Sequence, residues 1–120
     1  MSIELEIQAA GADVAPRITP ADIEAAIDSE HYFTAADGEQ GALMNEGRNP
    51  SGIPSNEALC LLTFCVLILR NGFTVTGESA CASPENFHAR IGRKVARANA
   101  IAKVWPLLGY ELRSRLAASS

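Results

Sequence analysis

Asn71-Gly72 lies between two segments of different hydropathy pattern, and no other dipeptide in the 120-residue chain restricts the fold as strongly. Before it, Leu59–Leu69 is apolar on both faces, as a strand covered on both sides is. After it, Phe73-Thr74-Val75-Thr76 alternates, which predicts Phe73 and Val75 inward and Thr74 and Thr76 outward. Asn-Gly accepts positive φ at both central positions of a tight turn, so the segment reads as a β-hairpin. Gly77 is expected to bulge or end the second strand.

Helix signals flank this hairpin. Thr19 as cap, Pro20 at the first helical position and Asp22 as the capping-box acid predict a helix that reaches Tyr32 or Phe33. Ile23, Ala26 and Ile27 form its apolar face, and Ile18 is spaced to staple onto Ile23. Ser83-Pro84-Glu85 predicts a second helix start. Phe87, Ile91, Val95, Ala98, Ala102 and Trp105 then recur at steps of three and four, the stripe of a long amphipathic helix. Pro106 is expected to break or kink it, leaving a shorter helix over 108–117 with Leu112 and Leu116 on one face. At the other end, residues 3–7 alternate and predict a short half-buried strand. Residues 34–57 hold four glycines and two prolines without periodicity, which predicts a mobile loop, part of it ordered by a partner. The expected architecture is one α+β domain over 1–120. It has a small antiparallel sheet with a central hairpin, an amino-terminal helix and a long kinked carboxy-terminal helix pair over 84–117.

Charge is distributed unevenly. The net charge is −4, yet residues 1–46 carry −9 with Arg17 their one cation, residues 47–78 balance, and residues 79–120 carry +5. Such asymmetry points to a charged partner. An apolar share of 48% excludes global disorder. The longest apolar stretch, Ala58–Leu69, is interrupted by Thr63 and is too short to cross a bilayer. The acidic amino terminus has no apolar signal core, so a cytosolic chain is expected. Cys60, Cys65 and Cys81 form no Cys-x-x-Cys pair, and Cys60 and Cys65 are expected on opposite faces of a strand. Neither a disulfide framework nor a zinc site follows, and no cofactor is expected.

Four cations, Arg90, Arg93, Lys94 and Arg97, lie along one side of the second helix, next to its apolar stripe. Their mutual repulsion calls for an anion. The acidic amino-terminal helix can supply it, within the fold or across an oligomer interface. A phosphate-bearing ligand can also supply it, because arginine forks match phosphate oxygens. Nucleic-acid backbone is the weaker fit, given the net charge and the lack of interleaved aromatics. Thr76-Gly77-Glu78-Ser79 adds hydroxyls and an acid that can meet a ribose or a base edge, or simply cap a turn. Cys81 and His88 could pair as thiolate and base, but no orienting group or oxyanion device accompanies them, so no enzyme is expected. His31 reads as a structural histidine.

Several of these stretches carry a resemblance. Leu62-Thr-Phe-Cys-Val-Leu, Arg70-Asn-Gly-Phe-Thr-Val-Thr-Gly-Glu-Ser-Ala-Cys81, Pro84-Glu-Asn-Phe87, Ile91-Gly-Arg-Lys94 and Trp105-Pro-Leu-Leu-Gly-Tyr110 together resemble the gene-49/gene-66 family of small tailed-phage proteins, from about Ile18 to Leu116. The resemblance extends to its Thoeris anti-defence branch, sponges that sequester signalling nucleotides made by bacterial immune enzymes. It implies binding of cyclic ADP-ribose isomers (the gcADPR type) without hydrolysis and, in some members, of cyclic di- or trinucleotides. It also implies a homo-oligomer of dimers assembling into a hexamer, acting in the host cytoplasm. For such a ligand Arg93, Arg97 and Arg90 would take the phosphates, Thr76 and Glu78 ribose or base edges, and Phe73 a stacking face. The alternative is an interaction protein that docks an acidic partner or nucleic acid through its basic helix.

Overall fold

The computed structural model describes residues 2–53 and 56–120 and centres on a three-stranded antiparallel sheet. In chain order the helices are α1 (Ile3–Ala9), α2 (Pro20–Ala26), α3 (Ala35–Asn45), α4 (Glu57–Cys60) and α5 (Ala89–Ser119). The strands are β1 (Ile27–Thr34), β2 (Leu62–Leu69) and β3 (Thr74–Ala80), in spatial order β1-β2-β3. Short 3-10 turns occupy Pro50–Gly52 and Pro84–Asn86.

The hairpin forms where Asn71-Gly72 predicts it, but with a looser turn. Only Gly72 has positive φ, at 88°, while the Gly72 N–H donates to the Leu69 carbonyl and the Leu69 N–H to the Phe73 carbonyl. Arg70, Asn71 and Gly72 thus make a three-residue loop, a type I turn closed by a left-handed glycine. The Asn71 side chain accepts from the Phe73 N–H at 3.0 Å. Phe73 consequently sits at the tip and is 55% exposed, not inward as its alternation suggests.

Three local expectations are corrected. Residues 3–7 are helical, because the Ser2 hydroxyl caps the Leu5 N–H and Glu4 reaches Arg17, while no strand lies beside them to pair with. The helix opened by the Thr19–Asp22 capping box stops at Ala26. From Ile27 the chain is β1, paired with β2 from Ile27↔Leu69 to Thr34↔Thr63 with an irregularity between Ile27 and Ser29. Ladder pairing and the aromatic Tyr32 and Phe33 override the helical spacing. Residues 34–57 are not a loop throughout. Thr34 and Asp37 form a second capping box that starts α3, and α4 follows, with 54 and 55 outside the described residues. Gly38 and Gly41 weaken the helix signal there. Cys60 accordingly belongs to α4, not to a strand shared with Cys65.

α5 is one continuous helix through Pro106 rather than a pair, and it crosses one face of the sheet. It packs with the opposite side from the one its bulky residues indicate. Ala96, Ala100 and Val104 are buried, whereas Ile91 is 55%, Val95 44% and Trp105 36% exposed. The reason lies in β3. Gly77 continues the ladder opposite Cys65 without a bulge, and a methyl group on it would fall 2.2 Å from the Ala96 carbonyl oxygen. A strand without a side chain meets a helix face of alanines, so the two backbones come closer than bulky residues allow. Ile23, Ile27, Cys65, Leu67, Leu69 and Val75 complete the core. On the other face of β2, Leu62, Phe64, Val66 and Ile68 remain partly exposed. The result is a slab of 61 × 33 × 16 Å with a radius of gyration of 19.1 Å. A globule of this length measures about 14 Å.

Candidate functional site

The cations of α5 fall into two groups once their partners are identified. Arg97 is neutralised within the fold. Its Nε donates to Glu30 Oε1 at 3.0 Å, and its Nη2 donates to Glu24 Oε2 at 2.7 Å and Glu30 Oε2 at 3.1 Å. Tyr32 adds its hydroxyl to Glu30 Oε1 at 2.6 Å. Hydrogen bonds from Arg97 and then Tyr32 hold the Glu30 carboxyl below its ordinary range, despite partial burial. The same two carboxylates raise Arg97 further, and burial with the Glu30 contact raises Tyr32. Glu24 of α2 and Glu30 of β1 therefore both answer this one arginine.

Arg93, one turn earlier, has no carboxylate partner and no side-chain hydrogen bond among the described residues. It stands at the rim of a cleft of about 90 Å³ between β1, α3 and the first turn of α5. Tyr32 of β1 and Phe87 before α5 border the cleft with aromatic rings; Phe33 also lines it, with its ring packed against Phe64 at 5.6 Å on the other face of the sheet. Asp37 enters from α3, with its Oδ2 accepting from the Thr34 N–H at 2.9 Å. Deepest is Thr63, only 3% exposed, whose hydroxyl has no hydrogen-bond partner among the described residues. The ladder register places Thr34, Thr63 and Ser79 side by side on the helix-facing side, so this end of the sheet presents hydroxyls where the rest presents apolar groups. Ala89, the first residue of α5, completes the cleft, and His88 before it makes no side-chain cap.

The other candidates lie elsewhere. Arg90 and Lys94 are exposed and unpaired among the described residues. Thr76 and Glu78 project from the face of β3 away from α5, since Val75 and Gly77 occupy the helix side. The Glu78 backbone, not its carboxylate, is tied to α5, accepting from Asn99 Nδ2 at 2.7 Å. Phe73 is at the hairpin tip. Within one chain the structure therefore brings Arg93 to a cleft, engages Arg97 internally, and sets Thr76, Glu78 and Phe73 apart from both. The sequence reading missed Thr63, Asp37 and Phe33. Thr63 had a signal, as the one hydroxyl interrupting the apolar run of β2.

The Cys81 thiol donates to the Ser83 carbonyl at 3.2 Å, and His31 pairs with the Ser29 hydroxyl at 3.0 Å. Burial raises the Cys65 thiol. No cluster of metal-ligating side chains occurs among the described residues. Residues 18–116 match the phage protein (N4 Gp49/phage Sf6 gene 66) family. No curated protein and no solved structure matches the chain.

Proposed function

The chain belongs to the N4 Gp49/phage Sf6 gene 66 family of phage proteins, and on that premise we propose that it is an anti-defence protein that binds immune signalling nucleotides and holds them without cleavage. The ligands are cyclic ADP-ribose isomers, with cyclic di- or trinucleotides as further ones. The observation that carries this reading is Arg93: a cation without a carboxylate partner among the described residues, at the rim of a cleft bordered by aromatic rings. Guanidinium and aromatic surface suit the phosphate and base of a nucleotide. Arg90 extends the positive field, and Arg97 holds the wall of α5 in register by its two carboxylates. Thr76, Glu78 and Phe73 contribute from a neighbouring subunit, because in their own chain Thr76 and Glu78 face away from α5 and Phe73 is at the hairpin tip.

A cleft of about 90 Å³ takes a fragment of such a ligand, so sequestration requires a second surface to close over the rest. A homo-oligomer, dimers assembled into a hexamer, supplies it. Two quantities support self-association. The accessible surface is 8025 Å², against about 6,200 Å² for a globular monomer of this mass. The bulky stripe Ile91, Val95 and Trp105 is also uncovered. Action in the host cytoplasm accords with the described residues, in which no helix is long and apolar enough to cross a membrane.

Isothermal titration with a cyclic ADP-ribose isomer tests the reading, followed by heat release of the bound fraction. Tight binding and recovery of intact nucleotide are expected. Absence of binding overturns the sponge reading, and recovery of a converted product overturns the non-enzymatic one. A second reading draws on Arg90, Lys94, Lys103 and Arg113 along α5, unpaired among the described residues, which suit docking of an acidic partner or nucleic-acid backbone. Binding that weakens steeply with salt and ignores the purine is its signature.

A further inference from the structure

We propose that the cleft beneath the first turn of α5 seats one phosphoryl group of the nucleotide. Arg93 and the free N–H groups of that turn lie on its oxygens, the Thr63 hydroxyl donates from below, and Asp37 accepts from the adjoining sugar. This rests on the nucleotide-binding reading and names the part of the ligand that the cleft takes.

Three independent features converge there. First, α5 has 31 residues, and its opening N–H groups are not satisfied by a side-chain cap, because His88 supplies none. The N-terminus of so long a helix carries about half a positive charge and free donors directed along its axis. Second, the Thr63 hydroxyl lies beneath that turn, 3.1 Å from where a side chain on Gly92 would begin. It is buried and unpartnered among the described residues. A buried hydroxyl without a partner costs about 1–3 kcal/mol, which favours a position that acquires a partner from outside. Third, Arg93 brings a guanidinium to the same cleft from the second turn of the helix and pairs with no carboxylate among the described residues.

A helix end, a sheet floor and a side-chain fork thus bring donors to the same cleft. A phosphoryl group offers charged oxygens, each able to accept more than one hydrogen bond, that these donors can share. Asp37 shapes selectivity. One of its oxygens is occupied by the Thr34 N–H, and the other is placed to accept from a sugar hydroxyl, a contact that inorganic phosphate alone does not reach. The cleft therefore discriminates a phosphorylated sugar from inorganic phosphate, and a nucleotide from its nucleoside.

The test is isothermal titration of the full chain with AMP, adenosine, inorganic phosphate and a cyclic ADP-ribose isomer. AMP is expected to bind at least about tenfold more tightly than adenosine or phosphate. Thr63→Val weakens AMP and the cyclic isomer about five- to tenfold while the melting temperature stays level or rises, since a purely structural hydroxyl there has no partner to lose. Thr63→Ser restores affinity, and Arg93→Gln loses at least about tenfold. Equal affinity for AMP and adenosine, or unchanged binding in Thr63→Val and Arg93→Gln, overturns the proposal. If the cyclic isomer binds wild type and both variants alike, the seat is refuted and the sponge reading stands. If neither AMP nor the cyclic isomer binds, both fall together.

Discussion

Gly77 of β3 and Ala100 of α5 touch backbone to backbone: a methyl group on Gly77 would lie 2.2 Å from the Ala100 nitrogen. Nothing at that contact is a flexible side-chain end. Gly77→Ala must therefore push the helix off the sheet, at a cost of about 3 kcal/mol or more, the upper range for overpacking. Gly41→Ala is the control. It lies in α3 with nothing within 4 Å of the added carbon, so it should gain about 0.5–1 kcal/mol. Urea denaturation of both variants checks the pair, and a mild effect of Gly77→Ala would contradict the close approach.

Gly72 gives a smaller version of the same logic through φ. At +88° its conformation strains any side chain although the space around it is open. Gly72→Ala should cost about 1 kcal/mol, and Gly72→Asn clearly less, because asparagine tolerates the left-handed region. Thermal midpoints of the two variants decide this.

The Arg97–Glu30–Tyr32 contacts predict a bell-shaped stability profile. The Glu30 carboxyl is depressed by Arg97 first and Tyr32 second, so its contribution is present above the ordinary carboxylate range and disappears as acid protonates it. Tyr32 is raised by burial first and by Glu30 second, so its contribution is complete below about pH 10 and declines above it. Glu30→Gln should cost about 1 kcal/mol at neutral pH and flatten the acid limb. Denaturant midpoints measured from pH 3 to 11 check both limbs, and an unchanged acid limb in Glu30→Gln would contradict the assignment.

The uncovered stripe of α5 gives a prediction about mass. Val95→Glu and Trp105→Glu alter residues that contribute little to the monomer core, so secondary structure should persist while the proposed assembly dissociates. Wild type should also melt at higher temperature when more concentrated, and the double variant should not. Sedimentation velocity and melting at several concentrations are the measurements. A wild-type chain that sediments as a monomer at every concentration refutes the assembly.

Legibility in the sequence followed the range of the interactions. The Asn71-Gly72 hairpin and the Thr19–Asp22 capping box are local devices, and both form where their residues predict them. β1 is hidden in the sequence because its partners in β2, from Thr34↔Thr63 to Ile27↔Leu69, are distant along the chain, while Ile23, Ala26 and Ile27 nearby keep helical spacing. The spacing of α5 marks the helix, but its bulky residues point to the wrong packed side. The deciding residue, Gly77, belongs to another element and acts by lacking a side chain. The site shows the same division. The cationic side of α5 is visible in its spacing, whereas separating Arg97 from Arg93 needs Glu24 and Glu30, carried there by α2 and β1. Thr63 has meaning only once the sheet register puts it under the helix.

Pro106 lies inside α5 and has no N–H to give the Ala102 carbonyl, so the ladder of the helix is missing one rung there. Before it, the helix is pinned to the sheet by Ala96, Ala100 and Val104; beyond it, Leu108 is the partly buried residue packed on the core. Amide exchange should therefore divide the helix into two cooperative units. Protons of residues 92–104 should wait for global unfolding, while those of 109–119 escape through local opening. On that division the last three turns of this helix would melt separately, at the opposite end from the cleft.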